Sequence, residues 1–363
     1  MSHSKHQRLV LAGPIEVRKE ILDAQTEWMI GHRGQPFADL FARLQEKLKQ
    51  AFFTQYRVYP LGASGTGFWE AASRNCIRDD KKALHLVGGA FSERWAKVSK
   101  TNGKQIDVIE VEWGQAILPE MVADALKKEQ YDAVCVVHNE TSTTVTNPIK
   151  EIGAVVNQYE DTLYLVDTVS GFLGMELYVD EWGIDVALTS SQKALALPPG
   201  LAFASVSDRV LERAKQVPYR GYYFDFLQME KALQKNNTPS TPPISIMFAA
   251  DKQLDDILAE GLENRWMRHR QMRDMTHQWA LNHQFGLYAQ AGYRSQTITA
   301  IDNRQRGVDV FTMADFMSER GWAIDKGYGK IKGETFRIGH MGDMQTSTLE
   351  EIFAHLDAFI TAN

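Results

Sequence analysis

Residues 162–199 read TLYLVDTVSGFLGMELYVDEWGIDVALTSSQKALALPP. Residues 163–166 form a short apolar run that delivers Asp167 at its end. Residues 184–188 form a second run that delivers Thr189, Ser190, Ser191, Gln192 and Lys193. Each run is too short for a helix and rich in branched residues, the pattern of a buried strand. In an open α/β sheet, chemistry collects beyond the carboxyl ends of the strands, so two such ends would bring a carboxylate and a lysine close in space. An acidic group for a pyridinium nitrogen and a lysine able to form a Schiff base are what pyridoxal phosphate asks of a protein. On spacing alone, plainer readings stand beside this one. An aspartate at a strand end often caps a turn, and a lysine after a strand is usually a solvated surface group. Lys193, however, lies between a polar cluster and the run ALALPPG, a poor setting for a merely solvated charge.

Working outward, short apolar runs alternate with helical patterns. Strands are expected at residues 56–61, 83–87, 106–111, 133–137 and 201–206, and helices at 37–53, 119–128 and 149–159. In the first helix Phe37, Leu40, Phe41, Leu44, Leu48 and Phe52 make one apolar stripe, the mark of core packing. Such alternation predicts a mainly parallel sheet. Between the first strand and the next helix lies GASGTGFWEAASRN, residues 62–75. Backbone amides at a helix start, with the Thr66 hydroxyl, make a suitable phosphate site. The arrangement is neither a Walker A loop nor a dinucleotide fingerprint, and a plain glycine-rich turn reads equally well. Residues 218–243 are aromatic and loop-rich, suited to an ordered loop over a site. Residues 244–281 are strongly helical. Strands follow at 295–300, 322–326 and 336–339, with helices at 311–317 and 349–360.

Bulk properties exclude several classes. The 363 residues suggest a large domain plus a smaller one, since single cores rarely grow past roughly 250–300 residues. A net charge of −6 argues against general nucleic-acid binding. No apolar run approaches the roughly 20 residues that span a bilayer. The start MSHSKHQ lacks the apolar core of a secretory signal and the end FITAN lacks a peroxisomal address, so a cytoplasmic protein is expected. Cys76 and Cys135 sit in apolar settings and read as buried, reduced thiols. No metal is expected.

The pieces VDTVSGFLGMEL, WGIDVALTSSQKAL and PPGLAFASVS, in this order and spacing, resemble the class V aminotransferases, and within them the alanine–glyoxylate and serine–glyoxylate (serine–pyruvate) group. Further matches run from near the N-terminus to Arg337. The resemblance implies a fold-type I architecture: a large α/β domain with a mostly parallel mixed sheet sandwiched by helices, plus a smaller α+β C-terminal domain. The expected division is 1–20 as an N-terminal segment, 21–250 as the pyridoxal-phosphate domain and 251–363 as the small domain, with a linking helix from about residue 244. It implies Lys193 as the Schiff-base lysine and proton carrier, and Asp167 as partner of the pyridine nitrogen. Thr66, Gly67, Phe68 and Gln192 would hold the phosphate, although the bulky Phe68–Trp69 pair departs from the family pattern. Phe91, in GGAFSERW, would stack on the ring, worth about 0.5–1.5 kcal/mol; by itself it reads as a core phenylalanine. Ser142 would lie near the ring hydroxyl. Arg337, in ETFRIGHMG, would take the substrate carboxylate with its planar fork, where a lone strand arginine would be a surface group. His32, in IGHRGQPF, would stand beside the site near a subunit boundary. Thr238 and Thr241 would reach the phosphate of a neighbouring subunit's cofactor, which implies a homodimer with shared sites.

The implied activity is ping-pong transamination between a small amino acid (alanine, serine or aspartate) and glyoxylate or pyruvate. Two rivals are weaker. A lyase or desulfurase of the same fold needs a mobile loop cysteine, and both cysteines fall within expected elements. A catalytically silent scaffold needs none of Asp167, Lys193 and Arg337.

Overall fold

In the computed structural model, which describes residues 6–362, the alternating runs assemble into a seven-stranded sheet. Residues 1–5 of the polar N-terminal stretch and Asn363 lie outside the described residues. Across the sheet the order is Arg57–Leu61, Ala202–Val206, Val186–Ser190, Leu163–Asp167, Tyr131–Val137, Lys82–Val87 and Gln105–Glu110. Ala202–Val206 runs antiparallel to both neighbours, and every other pairing is parallel.

The central strands are mostly apolar because both faces are covered, while the edge strand Gln105–Glu110 carries exposed polar residues. Tyr131–Val137 is buried at every position. Its side chains alternate between two cores, as the two-residue period of a strand dictates. Leu84, Leu86, Val134, Val136, Tyr164 and Val166 face one core, with the predicted stripe of the helix Gln35–Phe52. Ala83, Ala133, Cys135, Leu163 and Leu165 face the other, with Trp69 and Trp95. Each large side chain so buried contributes roughly 1.5–3 kcal/mol.

A third core lies around an antiparallel sheet of Gly286–Leu287, Ile298–Asp302 and Thr335–Gly339. The N-terminal strand Arg8–Val10 pairs in parallel with Trp322–Ile324, so residues expected to form a separate segment are tied to the C-terminal part of the chain. The long helix expected over 244–281 is two helices, Ile244–Glu260 and Leu262–Asn282. They are divided at Gly261, whose φ of +83° is a left-handed conformation that breaks the helix. The loop-rich stretch 218–243 contains the helix Phe226–Leu233, started by Asp225, whose carboxylate accepts from the Leu227 amide at 2.9 Å. Among the described residues, no helix is long and apolar enough to cross a membrane.

Candidate active site

Five parallel strands end along one side of the large sheet, and the residues just beyond them line a cavity of about 370 Å³. Arg57–Leu61 leads to Ser64, Gly65 and Thr66; Lys82–Val87 leads to Phe91 and Arg94. Tyr131–Val137 leads to Asn139 and Thr141, Leu163–Asp167 ends in Asp167, and Val186–Ser190 leads to Gln192 and Lys193. The two neighbouring strands of the opening stretch are paired with Asp167 opposite Leu188, which brings the carboxylate and the lysine to one cavity.

Lys193 is 8% exposed, and its ammonium donates to the Ala12 carbonyl. The Gly13–Pro14 turn lines the same cavity. Gly13 has φ +109°, a backbone that favours glycine, and a Cβ there would stand 2.6 Å from Lys193 Cδ and push the end of that side chain aside. Burial, then the charge of Arg337, pulls the Lys193 ammonium down to about 8, against the opposing pull of Asp167 and Asp325. A larger share of neutral amine at neutral pH suits a nucleophile.

Asp167 is buried, and both oxygens are held. Oδ1 accepts from the Val169 amide at 2.7 Å and Oδ2 from the Trp69 indole at 2.6 Å. Burial pushes its carboxyl up to about 7, while the Val169 and Trp69 donors pull the other way. A pyridinium placed against this carboxylate would supply the missing counter-charge.

The remaining lining suits a phosphorylated ring. Ser64 makes no side-chain cap at the start of the helix Gly65–Cys76, which leaves first-turn amides for an anion. Ser190 Oγ and Gln192 Oε1 line the cavity, buried and without a hydrogen-bond partner among the described residues. Buried polar atoms without partners are uncommon and call for a ligand or water.

Not every expected residue faces this space. The Phe68 side chain is fully buried, its ring 6.5 Å from that of Phe226, so the side chain faces away from the cavity. Trp69, the next residue, lines the cavity instead. Gly67 lies one residue past the lining, its amide bonded to the Ser64 carbonyl. Ser142 is also turned away: its hydroxyl donates to Glu140 at 2.5 Å and accepts from the Ala90 amide, and Thr141 takes its place at the wall. Phe91 lines the cavity and stacks on Tyr328 at 5.4 Å. Thr238, whose hydroxyl donates to the Ser240 carbonyl, and Thr241 are not among the lining residues. Nor is half-buried His32, which accepts from Arg33. Arg337 sits behind Thr141, donating to its carbonyl at 2.7 Å, and is paired with Asp325.

Two contributors, Trp69 and Asp325, were missed by sequence reasoning, while Glu140 shapes its loop as the sequence suggests. Trp69 follows Thr66 by three positions, one helical turn, and that spacing was the available signal. Glu140 accepts from the Phe91 and Ser92 amides, the Ser92 hydroxyl and Ser142, and so fixes the start of the helix that carries Phe91. Asp325 had no local signal, because its partner is twelve residues away on another strand.

Known proteins resemble this chain along nearly its whole length. Residues 31–331 match the aminotransferase class-V family. An uncharacterised aminotransferase of Methanocaldococcus jannaschii is 38% identical over 92% of this chain and 87% of its own length. The serine–glyoxylate aminotransferase of Methylorubrum extorquens is 32% identical over 94% of this chain and 88% of its own. The crystal structure of the alanine–glyoxylate aminotransferase from Nostoc sp. superposes with a TM-score of 0.92 at 26% identity, over 98% of this chain and 96% of that one. The chain belongs to the class-V aminotransferase family. It is an aminotransferase of fold type I, and its cofactor is pyridoxal 5′-phosphate.

The Trp69–Asp167 bond can be weighed directly. In cofactor-free protein, Trp69→Phe removes a donor to the carboxylate, so Asp167 should titrate above its starting value of about 7. Carbon-13 NMR of labelled aspartate reads this. An unmoved titration would show that the indole has no hold on the carboxylate.

Proposed function

We propose that this enzyme transfers an amino group from alanine, serine or aspartate to glyoxylate or pyruvate, in the cytoplasm, as a homodimer. The observation that carries the reading is the convergence of Asp167 and Lys193 on one cavity at neighbouring strand ends. The cofactor supplies an electron sink when bound. Asp167 keeps the proton on its ring nitrogen, Lys193 carries it and moves the substrate proton, and Thr66, Gln192 and the first-turn amides hold its phosphate. Phe91 supports the ring, and Arg337 receives the substrate carboxylate. Residues 21–250 form the cofactor-binding domain and 251–363 the small one.

The desulfurase alternative finds no support, since Cys76 and Cys135 are both buried away from the cavity. The dimer is supported by large exposed apolar side chains: Trp28 is 92% exposed, Tyr219 94% and Tyr222 69%. In that dimer, Thr238 and Thr241 reach the partner's site, and His32 stands beside it.

A panel of amino donors against glyoxylate and pyruvate tests the activity. Absence of turnover with every pair would sink it. Sharing of sites is tested separately. Chains carrying Lys193→Ala, mixed with chains carrying Thr238→Ala and Thr241→Ala, should form mixed dimers that regain activity through the one site receiving no substitution. Mixed dimers without recovery would mean that each chain builds its own site.

A further inference from the structure

The expected carboxylate anchor, Arg337, already holds a carboxylate. Its Nε donates to Asp325 Oδ1 at 2.9 Å and its Nη2 to Asp325 Oδ2 at 2.6 Å, a two-pronged pair. Its Nη1 donates to the Thr141 carbonyl at 2.7 Å. Three of the guanidinium's five N–H groups are thereby engaged, and the side chain is 3% exposed. Tyr328 lies over it at 5.3 Å. The pair is no chance meeting of flexible side chains. Asp325 and Arg337 are bridged through the backbone as antiparallel neighbours, with the Arg337 amide donating to the Asp325 carbonyl at 3.0 Å. Asp325 directly follows the strand Trp322–Ile324, and Arg337 is the middle residue of Thr335–Gly339.

We propose that Asp325 is a specificity-determining residue: by compensating Arg337 and occupying one edge of its guanidinium, it weakens recognition of the substrate's α-carboxylate and admits donors in which that carboxylate is an uncharged carboxamide. The inference rests on Arg337 receiving the substrate carboxylate. An arginine facing a ligand with no counter-ion discriminates strongly between a charged and a neutral partner, because a charge-assisted fork is roughly twice as strong as neutral hydrogen bonds. Once paired, the same guanidinium offers one free N–H on each terminal nitrogen and little net charge. A carboxylate then gains less there than it would at a bare arginine, and it also meets Asp325 across the shared fork. A carboxamide oxygen can accept from the remaining N–H groups and meets no such repulsion.

The test needs two measurements on the pyridoxal-phosphate-loaded protein. In the first, kcat/KM is compared for alanine and alaninamide with pyruvate as acceptor. The wild type should prefer alanine by well under about a hundredfold, and Asp325→Asn, which keeps an acceptor for Nε while removing the charge, should widen the preference about tenfold through a lower KM for alanine. In the second, propionate and propionamide, which cannot react, are titrated by calorimetry. Propionate should bind Asp325→Asn about tenfold more tightly than wild type, with propionamide little changed. A wild-type preference for alanine of a hundredfold or more, or a variant that binds propionate no better or worse, overturns the proposal. The wild-type comparison stands even if the variant does not fold. The calorimetric arm needs no turnover, so a protein that transfers no amino group yet shows tighter propionate binding in the variant would fail the activity reading alone.

Discussion

Lys193→Ala should abolish amino transfer while leaving the fold intact, with an expected loss of roughly a thousandfold or more, within the range removed with a positioned general acid–base. The side chain reaches the cavity from a loop beyond a strand, and the buried neighbours Ala194 and Leu195 carry the local packing. Borohydride should fix the cofactor to the wild-type peptide that contains Lys193, and the variant should yield no such adduct. Turnover at the wild-type rate in the variant would remove Lys193 from the chemistry. The cofactor-free protein offers a second signature. Burial holds the folded-state ammonium at about 8 against an ordinary value of 10.5. Between those values the unfolded chain binds a proton that the folded chain has released, so stability rises with pH across this window. The gain is on the order of 3 kcal/mol, and Lys193→Met, of similar size, lacks it. Thermal midpoints of both proteins between pH 7.5 and 10.5 decide this; parallel curves would show that the amine is not strained by burial.

Asp167→Asn should cost roughly a hundred- to a thousandfold in rate, the scale of losing one preorganised electrostatic contact to the reacting group. It should weaken cofactor binding as well, because the amide cannot hold a proton on the ring nitrogen. A rate within a fewfold of wild type would show that the carboxylate serves only to anchor Trp69 and Val169. The pH dependence runs opposite to that of the lysine. Burial raises the folded carboxyl from 3.8 to about 7. Between those values the folded, cofactor-free chain retains a proton that the unfolded chain has lost, so stability falls as pH rises through the window. Asparagine removes that slope. Its amide must also turn two donors toward a backbone N–H or the Trp69 indole, so the slope, rather than stability at one pH, is the decisive reading.

The two strand ends could be read in one dimension because burial on both faces leaves an uninterrupted apolar run and places the first polar residue at the edge of the sheet. Asp167 and Lys193 were legible for that reason. The glycine-rich loop was legible as far as Thr66, whereas the 3.6-residue helical period sends the Phe68 side chain to the core and Trp69 to the cavity. Trp69 could have been preferred on spacing. Ser142 shows another limit, since a loop of consecutive hydroxyl residues gives no periodicity from which to tell wall from interior. The helix Phe226–Leu233 was hidden in an aromatic stretch whose flanks carry turn residues. Asp325 lay beyond any local pattern, because only the pairing of two strands brings it to Arg337.

The first described strand has a mechanical consequence. Val10 is paired with Ile324, and two residues later Ala12 offers its carbonyl to the Lys193 amine. Between them, Leu11 presses against Gly339, where an added methyl would stand 2.0 Å from the Leu11 carbonyl oxygen. These residues form a tie rod between the ladder that bears Arg337 and the Lys193 amine. With Arg337 holding the substrate carboxylate and Lys193 moving the proton, as proposed, a shift of that ladder would pass along a few peptide units and change grip and aim together.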